Sequence, residues 1–304
     1  MPAVSIITAT YNRSNVLRYA IQSVRRQSFT DWELIVVGDC CTDDTADVVA
    51  SFGDPRIRFV NLPRNHGEQS GPNNVGASMA AGHWLAFLNH DDLWFSDHLQ
   101  TLVGALETSG ADLAYALCAQ LAPGGTVHMW GHTPGGYAIW HAVPASVWVM
   151  RRALVDRVGP WTPATRLWNS PSQDWIRRAH ASGARLVPVL RLTVVQISSG
   201  HRKDSYRNRD EREHIEAAAA LEHEVTYREQ LLTAIARDSS MHVDALQPFV
   251  HARRAMRAVV WRLCLAVGVP PASAMHLLRF GRRGGFIRHL RSTRGLDPAI
   301  GHRS

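Results

Sequence analysis

The chain has 304 residues, and 45% of them are hydrophobic, so it is long enough to bury one large core with an extension or two unequal cores. Its net charge of +7 is uneven, because residues 251–304 contain eleven arginines and a single acid, Asp297, while the preceding 250 residues are close to neutral. The sequence MPAVSIITATYNR lacks the features of a signal peptide, and prolines and an arginine interrupt the most apolar later segment, 259–278, which argues against a membrane span.

Short apolar runs alternate with helical patterns in the first ninety residues or so. VSIITAT (4–10), WELIVVG (32–38), IRFVNL (57–62) and HWLAFL (83–88) predict four buried strands. Helices are predicted between them, after Ser14, through Val49 and at 74–81, with a Gly/Asn-rich loop, NHGEQSGPNN, before the last. This alternation predicts an α/β fold with a mainly parallel sheet and a ligand crevice at the carboxyl ends of its strands.

The elements predicted farther along the chain are less regular. We expect helices at 96–107 and 170–183 and a long charged helix at 208–238; strands are predicted at 112–121, 146–152 and 185–198. Between them, residues 122–144 form a Gly/Pro-rich excursion with several histidine and aromatic residues.

Polar clusters follow three of the predicted strands: Thr10-Tyr11-Asn12-Arg13, Asp39 with its loop, and Asn89-His90-Asp91-Asp92. The carboxyl ends of parallel strands meet at one edge of a sheet, so three such clusters together indicate a binding crevice. Adjacent carboxylates are unfavourable unless a cation, hydrogen-bond donors or water accepts their charge. The pair Asp91-Asp92 therefore predicts either a metal site or a solvated turn.

The order of these motifs resembles family 2 glycosyltransferases, which are inverting enzymes with a GT-A fold, over residues 3–205. VSIITATYNR, VVGDCCTDDT, PNNVGASMAAGHWLAFLNHDD, VMRRALVDRVGPW and SQDWIRRAHASG follow the family's blocks in order. The chain departs from the family pattern at five positions, where Ala9, Gly38, Asn73, Asn89 and Gln173 replace the usual residues. The resemblance implies transfer of a sugar from a nucleotide-diphosphate donor.

The resemblance also implies a divalent metal, Mn²⁺ or Mg²⁺, that neutralises the departing diphosphate. Asp91 matches the family's direct metal ligand, and His201 lies near a position where some relatives supply a histidine to the metal or diphosphate. His201 could equally be an ordinary surface histidine. Asn89 occupies the first position of the family's DXD motif and keeps an acceptor oxygen without the charge. We therefore expect weaker metal binding.

Donor binding is implied for a set of residues at the strand ends, with a UDP-sugar favoured. Asp39 matches the aspartate that receives the nucleobase, although a turn aspartate is the alternative, and Tyr11 is a candidate for stacking on the base. Arg202 and Lys203 are candidates for the phosphate oxygens. The donor-binding residues that we predict are Thr8, Thr10, Tyr11, Arg13, Asp39, Asn74, Asn89 and His90.

Asp174 matches the family's general base, which removes the proton of the acceptor hydroxyl during inverting attack. It falls in the first turn of a predicted helix, where the helix dipole favours a carboxylate. A purely helix-stabilising aspartate is the alternative, since this is a common position for one. The main competing hypothesis for the whole chain is a catalytically degenerate GT-A nucleotide-binding module, because several departures from the family remove a charge. A nucleotidyltransferase is disfavoured, because TATYNRSN lacks a glycine-rich loop and lysines.

We predict two regions, a GT-A catalytic domain at 1–205 and a helical, Arg-rich C-terminal extension at 206–304. The extension has the composition of a surface helix on anionic lipid, of a self-packed helix or, least favoured, of a nucleic-acid-binding segment. The expected acceptor is a glycan or a lipid-linked acceptor, and residues 122–144 are either part of the acceptor wall or a packed loop. The four cysteines lack metal-ligand spacing, so free thiols and a cytoplasmic location, with peripheral contact to the inner face of the plasma membrane, are expected.

Overall fold

A computed structural model describes residues 1–240, 256, 258–264 and 266–299. Its centre is a curled sheet of nine strands in the order β3-β2-β1-β4-β8-β6-β9-β5, with β7 paired to β6. The strands are β1 Val4–Thr10, β2 Trp32–Gly38, β3 Ile57–Asn61, β4 Trp84–Phe87, β5 Asp92–Trp94, β6 Leu113–Leu121, β7 Val127–Trp130, β8 Trp148–Arg151 and β9 Leu186–Gln196.

Helices flank the sheet and continue beyond its last strand. In the described part of the chain we number them α1 Ser14–Arg25, α2 Thr45–Ala50, α3 Ser70–Met79, α4 His98–Ser109, α5 Ala153–Val158, α6 Pro171–Ala181, α7 Ser205–Asn208, α8 Arg212–Ala220, α9 Glu224–Ser240, α10 Pro271–Phe280 and α11 Gly285–Thr293. Short 3₁₀ turns occur at Ala145–Val147, Ala164–Arg166, Ser199–His201 and Leu221–His223. Within the described segments, no helix has both the length and the apolar content needed to cross a membrane.

The first four strands form the parallel sheet that their apolar runs predict, in the order β3-β2-β1-β4. The register aligns Thr10 with Gly38 and Gly38 with Asn61, so the polar residues after β1 and β2 leave the sheet side by side. The other half is mixed, because β8 returns antiparallel to both β4 and β6. The α/β fold is therefore confirmed, and its parallel part is the half that carries the predicted crevice.

Three buried indoles hold α6 against the sheet. Trp148 on β8, Trp161 in the following loop and Trp175 on α6 lie with their ring centroids 5.9–6.3 Å apart. Trp175 also donates from Nε1 to the Gly159 carbonyl at 3.0 Å. Each buried aromatic ring removes roughly 150–250 Å² from water, so this cluster fixes the N-terminal turn of α6 beside the crevice.

Two predicted helices differ in the structure. Helix α3 begins at Ser70, inside the segment predicted as a loop, because the Glu68 carboxylate accepts a hydrogen bond from the Ser70 N–H at 2.7 Å. The long charged helix predicted at 208–238 is divided by the 3₁₀ turn after Ala220. The division lets the Glu224 carboxylate accept the Ser96 N–H at 2.8 Å. Local contacts that periodicity does not encode decide both boundaries.

The C-terminal helix α11 packs back onto the α/β body. Just before α11, the Gly284 N–H donates to the Leu167 carbonyl at 2.7 Å, and at the far end the Asp204 N–H donates to the Thr293 carbonyl at 2.7 Å. The turn after α11 is also anchored, because the Tyr206 N–H donates to the Arg294 carbonyl at 3.1 Å. The described end of the C-terminal extension is thus part of the same packed body as the sheet.

Candidate active site

A cavity of about 340 Å³ opens at the carboxyl ends of β1, β2 and β4. Seven predicted site residues line it: Thr10, Tyr11, Asp39, Asn89, His90, Asp91 and His201. The three polar clusters therefore converge, as the parallel register requires. The opposite wall comes from the N-terminal turn of α6 and from α11.

Asp39 leaves the end of β2 and organises the loop that follows β3. Its Oδ1 accepts the His66 N–H at 2.7 Å, and its Oδ2 accepts the Gly67 N–H at 2.9 Å. Burial raises the pKa of Asp39, and the two backbone donors only partly offset this. Each carboxylate oxygen has a second lone pair, so Asp39 can hold this loop and still accept a donor from a ligand in the cavity.

Gly38 stands where the family usually has an aspartate, and its neighbours explain the difference. A Cβ at position 38 would lie 2.6 Å from Asn61 Oδ1, so a side chain there would require Asn61 to move. That Asn61 oxygen accepts the Cys41 N–H at 2.8 Å, and the Asn61 amide donates to the Cys41 carbonyl at 2.8 Å. Asn61 thus fixes the loop after β2 from the neighbouring strand.

The turn after β4 separates two adjacent carboxylates into different environments. Asp91 lines the cavity, and its Oδ2 accepts the Ser199 N–H at 2.9 Å. Asp92 points away and accepts from Asn89 Nδ2 at 2.8 Å and from Ser146 Oγ at 2.6 Å. Asp92 is therefore a bracing residue of the turn, while Asp91 faces the cavity.

The pKa values of this pair move in opposite directions. Burial alone would raise the pKa of Asp91, but His90, Arg294 and the Ser199 N–H together hold it below its ordinary value. Burial and the Asp91 charge raise the pKa of Asp92. The surroundings therefore favour the ionised form of Asp91 over that of Asp92.

His90 and Tyr206 form the floor beside Asp91. His90 Nδ1 lies 3.1 Å from the Ala9 carbonyl, and its Nε2 lies 3.5 Å from the Tyr206 hydroxyl. Tyr206 also stacks on Tyr11 with a centroid separation of 6.3 Å. The two tyrosines and the imidazole give the cavity an aromatic surface on which a ring could lie.

Three predicted donor-binding residues are not on the cavity wall. Thr8 is buried inside β1, and Arg13 is buried behind Tyr206, where it donates to the Ser205 carbonyl. Asn74 makes two hydrogen bonds with the backbone of Trp161, at 2.7 and 3.1 Å. These side chains hold the wall in place, and the structure gives none of them direct access to the cavity.

The predicted general base, Asp174, is beside the cavity but does not line it. Its carboxylate lies 2.9 Å from Arg178 Nε and 3.5 Å from Arg177 Nη2. Gln173 lines the cavity instead, and its amide is bonded to the backbone of Val143. The family's acidic pair is thus represented by a neutral residue facing the cavity and an ion-paired aspartate behind it.

The segment after β9 brings His201 to the cavity but turns Arg202 away. Arg202 forms an ion pair with Glu213 and donates to the Leu121 carbonyl at 3.0 Å, so its guanidinium is fully used. Lys203 does not line the cavity either. The phosphate contacts predicted for these two residues therefore have no support in the structure.

The cavity contains two arginines that the sequence did not single out. Arg291 and Arg294, on α11 and in the turn after it, face the same space as Asp91 and His201. The Arg-rich composition of the tail was a signal, but nothing in the sequence indicates that a helix some 200 residues after β4 docks there. These are the functional candidates that motif spacing missed.

A divalent cation fits this cavity only if protein side chains and a bound ligand coordinate it together. One oxygen of Asp91 is used by Ser199, which leaves the other as a ligand, and Asn89 and His201 line the same space. Oxygen donors suit Mg²⁺ or Mn²⁺. Among the described residues no group of three His, Cys, Asp or Glu side chains could hold an ion unaided. Phosphate oxygens of a ligand would have to complete the coordination.

Comparison with known proteins finds a family match for the first half of the chain. Residues 5–146 match the model described as glycosyl transferase family 2. The chain carries a family 2 glycosyltransferase domain. The matched stretch includes the polar ends of β1, β2 and β4, which line the cavity.

A curated relative supports the same assignment for the family 2 domain. The chain is 40% identical over 106 residues to the GalNAc(5)-diNAcBac-PP-undecaprenol β-1,3-glucosyltransferase of Campylobacter jejuni, which is 34% of each chain. Matches to two other curated relatives cover 32% and 63% of those proteins. The chain thus spans less than two thirds of the length of these relatives.

Solved structures support the fold over nearly the whole chain. TarS 1–349 of Staphylococcus aureus in complex with UDP-GlcNAc covers 97% of this chain and 91% of its own, with a TM-score of 0.59 and 18% identity. The mannosyltransferase PcManGT of Pyrobaculum calidifontis, in complex with GDP-Man and Mn²⁺, covers 96% and 87% with a TM-score of 0.53 and 16% identity. The family 2 domain therefore has the GT-A fold.

Proposed function

We propose that this chain is an inverting glycosyltransferase that moves a sugar from a UDP-sugar to a lipid-linked glycan acceptor. The observation that carries the proposal is the convergence of Asp39, Asn89 and Asp91 on one cavity within a family 2 domain. The complex of TarS with UDP-GlcNAc and the undecaprenol-linked acceptor in the name of the Campylobacter relative support the donor and acceptor classes.

In this proposal the nucleoside occupies the end of the cavity formed by Tyr11 and Asp39. Tyr11 offers an aromatic face to the base, and Asp39 accepts a base N–H with a lone pair that the loop after β3 does not use. The diphosphate then extends toward Asp91. This order places the diphosphate beside Asp91 and Arg294, which is close enough to Asp91 to lower its pKa.

Asp91, Asn89 and His201 would hold a divalent cation together with donor phosphate oxygens. Such a cation acts as a Lewis acid that stabilises charge on the leaving diphosphate. The Ser199 N–H orients the Asp91 carboxylate, and Asp92 braces the turn from behind through Asn89 and Ser146. The Mn²⁺ in the PcManGT complex supports a cation of this kind.

We assign the general base to Asp174, which would remove the proton of the acceptor hydroxyl. Its place in the first turn of α6, directly after Gln173 on the cavity wall, supports this assignment. Arg177 and Arg178 hold the carboxylate beside the cavity, so reaching an acceptor hydroxyl requires the side chain to leave at least one of them.

Contact with a membrane is proposed for a patch formed by residues 256, 258–264 and 266–280. This patch exposes apolar side chains such as Leu263 (63%), Val267 (73%) and Leu278 (85%) beside the exposed arginines Arg262 and Arg279. Basic residues near anionic lipid contribute roughly 1 kcal/mol each, and buried apolar side chains add to this. The patch suits an anionic bilayer that holds a lipid-linked acceptor, and we propose the inner face of the plasma membrane as its location.

The membrane contact predicts binding to vesicles that contain phosphatidylglycerol and weak binding to phosphatidylcholine alone, measured by flotation. Leu278→Asp should reduce that binding severalfold, because it places a charge where an apolar side chain enters the lipid. Leu190→Asp is the matched control, since Leu190 is 71% exposed on the α/β body. Equal losses in the two variants would refute the assignment to this patch.

Calorimetric titration of UDP, GDP, dTDP and CDP, with and without Mn²⁺, tests the proposed donor. We expect tight binding of UDP that strengthens with Mn²⁺. In a separate assay, a UDP-sugar should be hydrolysed or its sugar transferred slowly. Preference for another nucleotide would correct the donor class. Absence of binding to all four would refute the transferase proposal.

The second candidate is a catalytically degenerate nucleotide-binding module. The neutral Gln173 on the cavity wall and the ion-paired Asp174 behind it favour this alternative. It predicts nucleotide binding without turnover of any UDP-sugar. Transfer or hydrolysis of a donor, even at a low rate, would exclude it.

A further inference from the structure

Helix α11 and the turn after it close one side of the donor cavity. Six residues of this segment line it: Phe286, Ile287, Leu290, Arg291, Arg294 and Leu296. The backbone hydrogen bonds of Gly284, Thr293 and Arg294 described above fix both ends of the segment to the α/β body. The two arginines are therefore held at defined positions in the wall.

Arg291 has a structural role in this wall. Its Nη1 donates to the Gly67 carbonyl at 2.7 Å, and its Nε donates to the Asp297 carbonyl at 2.8 Å. Gly67 is also the residue whose N–H binds Asp39. Arg291 thus connects α11 to the loop that Asp39 organises.

Arg294 is different, because its guanidinium has no hydrogen-bond or ion-pair partner among the described residues. Its Nε is buried and lacks an acceptor, which is unfavourable for a charged group. The guanidinium is close enough to Asp91 and His201 to shift the pKa of each downward. Gly200 makes room for it, since a Cβ there would lie 3.3 Å from Arg294 Nη2.

We propose that Arg294 binds the diphosphate of the nucleotide donor. An arginine that lines the cavity with unused N–H groups fits a phosphate, which can accept two parallel hydrogen bonds from the guanidinium. Arg294 lies at the Asp91 end of the cavity, where the proposed function puts the diphosphate, and the inference rests on that function.

The assignment also accounts for the neutral Asn89. A site with one carboxylate at the turn after β4 attracts a cation less strongly than a site with two. The guanidinium of Arg294 would supply positive charge to the leaving diphosphate from the protein itself. Diphosphate binding should therefore persist in part without a metal.

Titration of inorganic pyrophosphate, UDP and uridine into the full chain in the presence of EDTA tests the role of Arg294. We expect Arg294→Ala to weaken pyrophosphate and UDP binding about 10- to 100-fold, as expected for losing hydrogen bonds to a charged group. Uridine binding should change less than twofold. Arg294→Lys should recover part of the loss, because it keeps the charge but not the planar fork.

Arg282→Ala is the matched control, since Arg282 is exposed on the loop before α11 and does not line the cavity. Thermal unfolding of each variant checks that α11 stays docked. Equal binding of UDP by wild type and Arg294→Ala, or an equal loss in Arg282→Ala, would overturn the inference while leaving the donor proposal intact. A wild-type chain that binds none of the phosphate probes would instead overturn the proposed function.

Discussion

Replacing Asp174 by asparagine is expected to lower the rate of sugar transfer by about 10²- to 10⁴-fold, the usual contribution of a general base. The amide keeps the size of the side chain but cannot take a proton from the acceptor hydroxyl. Because Asp174 does not line the cavity, the affinity of the Asp174→Asn variant for the donor should stay within twofold of wild type. The measurement is kcat with saturating UDP-sugar, together with UDP affinity by calorimetry.

The ion pair with Arg178 supplies the control that separates a base from a structural partner. Arg178 Nη1 and Nη2 also donate to the carbonyls of Val158 and Pro160, both at 2.7 Å. Arg178→Gln removes the same ion pair while leaving the carboxylate, so its loss of kcat should be much smaller. If the two variants lose activity equally, Asp174 serves only to order α6, and the base must lie elsewhere.

Replacing Asp91 by asparagine is expected to abolish the effect of Mn²⁺ on nucleotide binding and to lower transfer at least 100-fold. The amide retains the bond to the Ser199 N–H through its oxygen, but it lacks the charge that a divalent cation requires. Metal-free binding of UDP should fall much less, because Arg294 remains. Calorimetry with and without Mn²⁺ measures both effects.

Asp92→Asn is the matched control for Asp91→Asn. Burial and the neighbouring Asp91 raise the pKa of Asp92, so a neutral side chain at position 92 is close to what the fold already favours. The amide can still accept from Ser146 Oγ. We expect an unchanged response to Mn²⁺ in this variant. A loss comparable with that of Asp91→Asn would mean that the turn as a whole, and not the Asp91 charge, is what matters.

Part of this site could be predicted from sequence because parallel strands impose a simple rule. Short apolar runs identified β1, β2 and β4, and their carboxyl ends had to meet, so Tyr11, Asp39 and Asp91 were correctly expected at one crevice. Periodicity and motif order are enough for residues that follow directly from strand ends.

The rest depends on contacts that no local pattern encodes. Asn74 is close in sequence to residues that line the cavity. Both polar atoms of its side-chain amide, however, are hydrogen-bonded to the backbone of Trp161. By its position in the sequence, Arg202 was a better candidate for binding phosphate than Arg294. Arg202 instead forms an ion pair with Glu213, and the packing of α11 on the α/β body places Arg294 in the cavity wall. The outcome is set by competition between partners far apart along the chain.

The position of α11 couples donor binding to the stability of the C-terminal segment. A nucleotide held between Asp91 and Arg294 bridges the α/β body and α11, so it binds the docked form more tightly than a form with α11 detached. By linkage, at a free nucleotide concentration 100 times Kd, detachment becomes harder by up to about 2.7 kcal/mol. The arginines that give the tail its basic character would then act as a latch whose strength depends on the supply of donor.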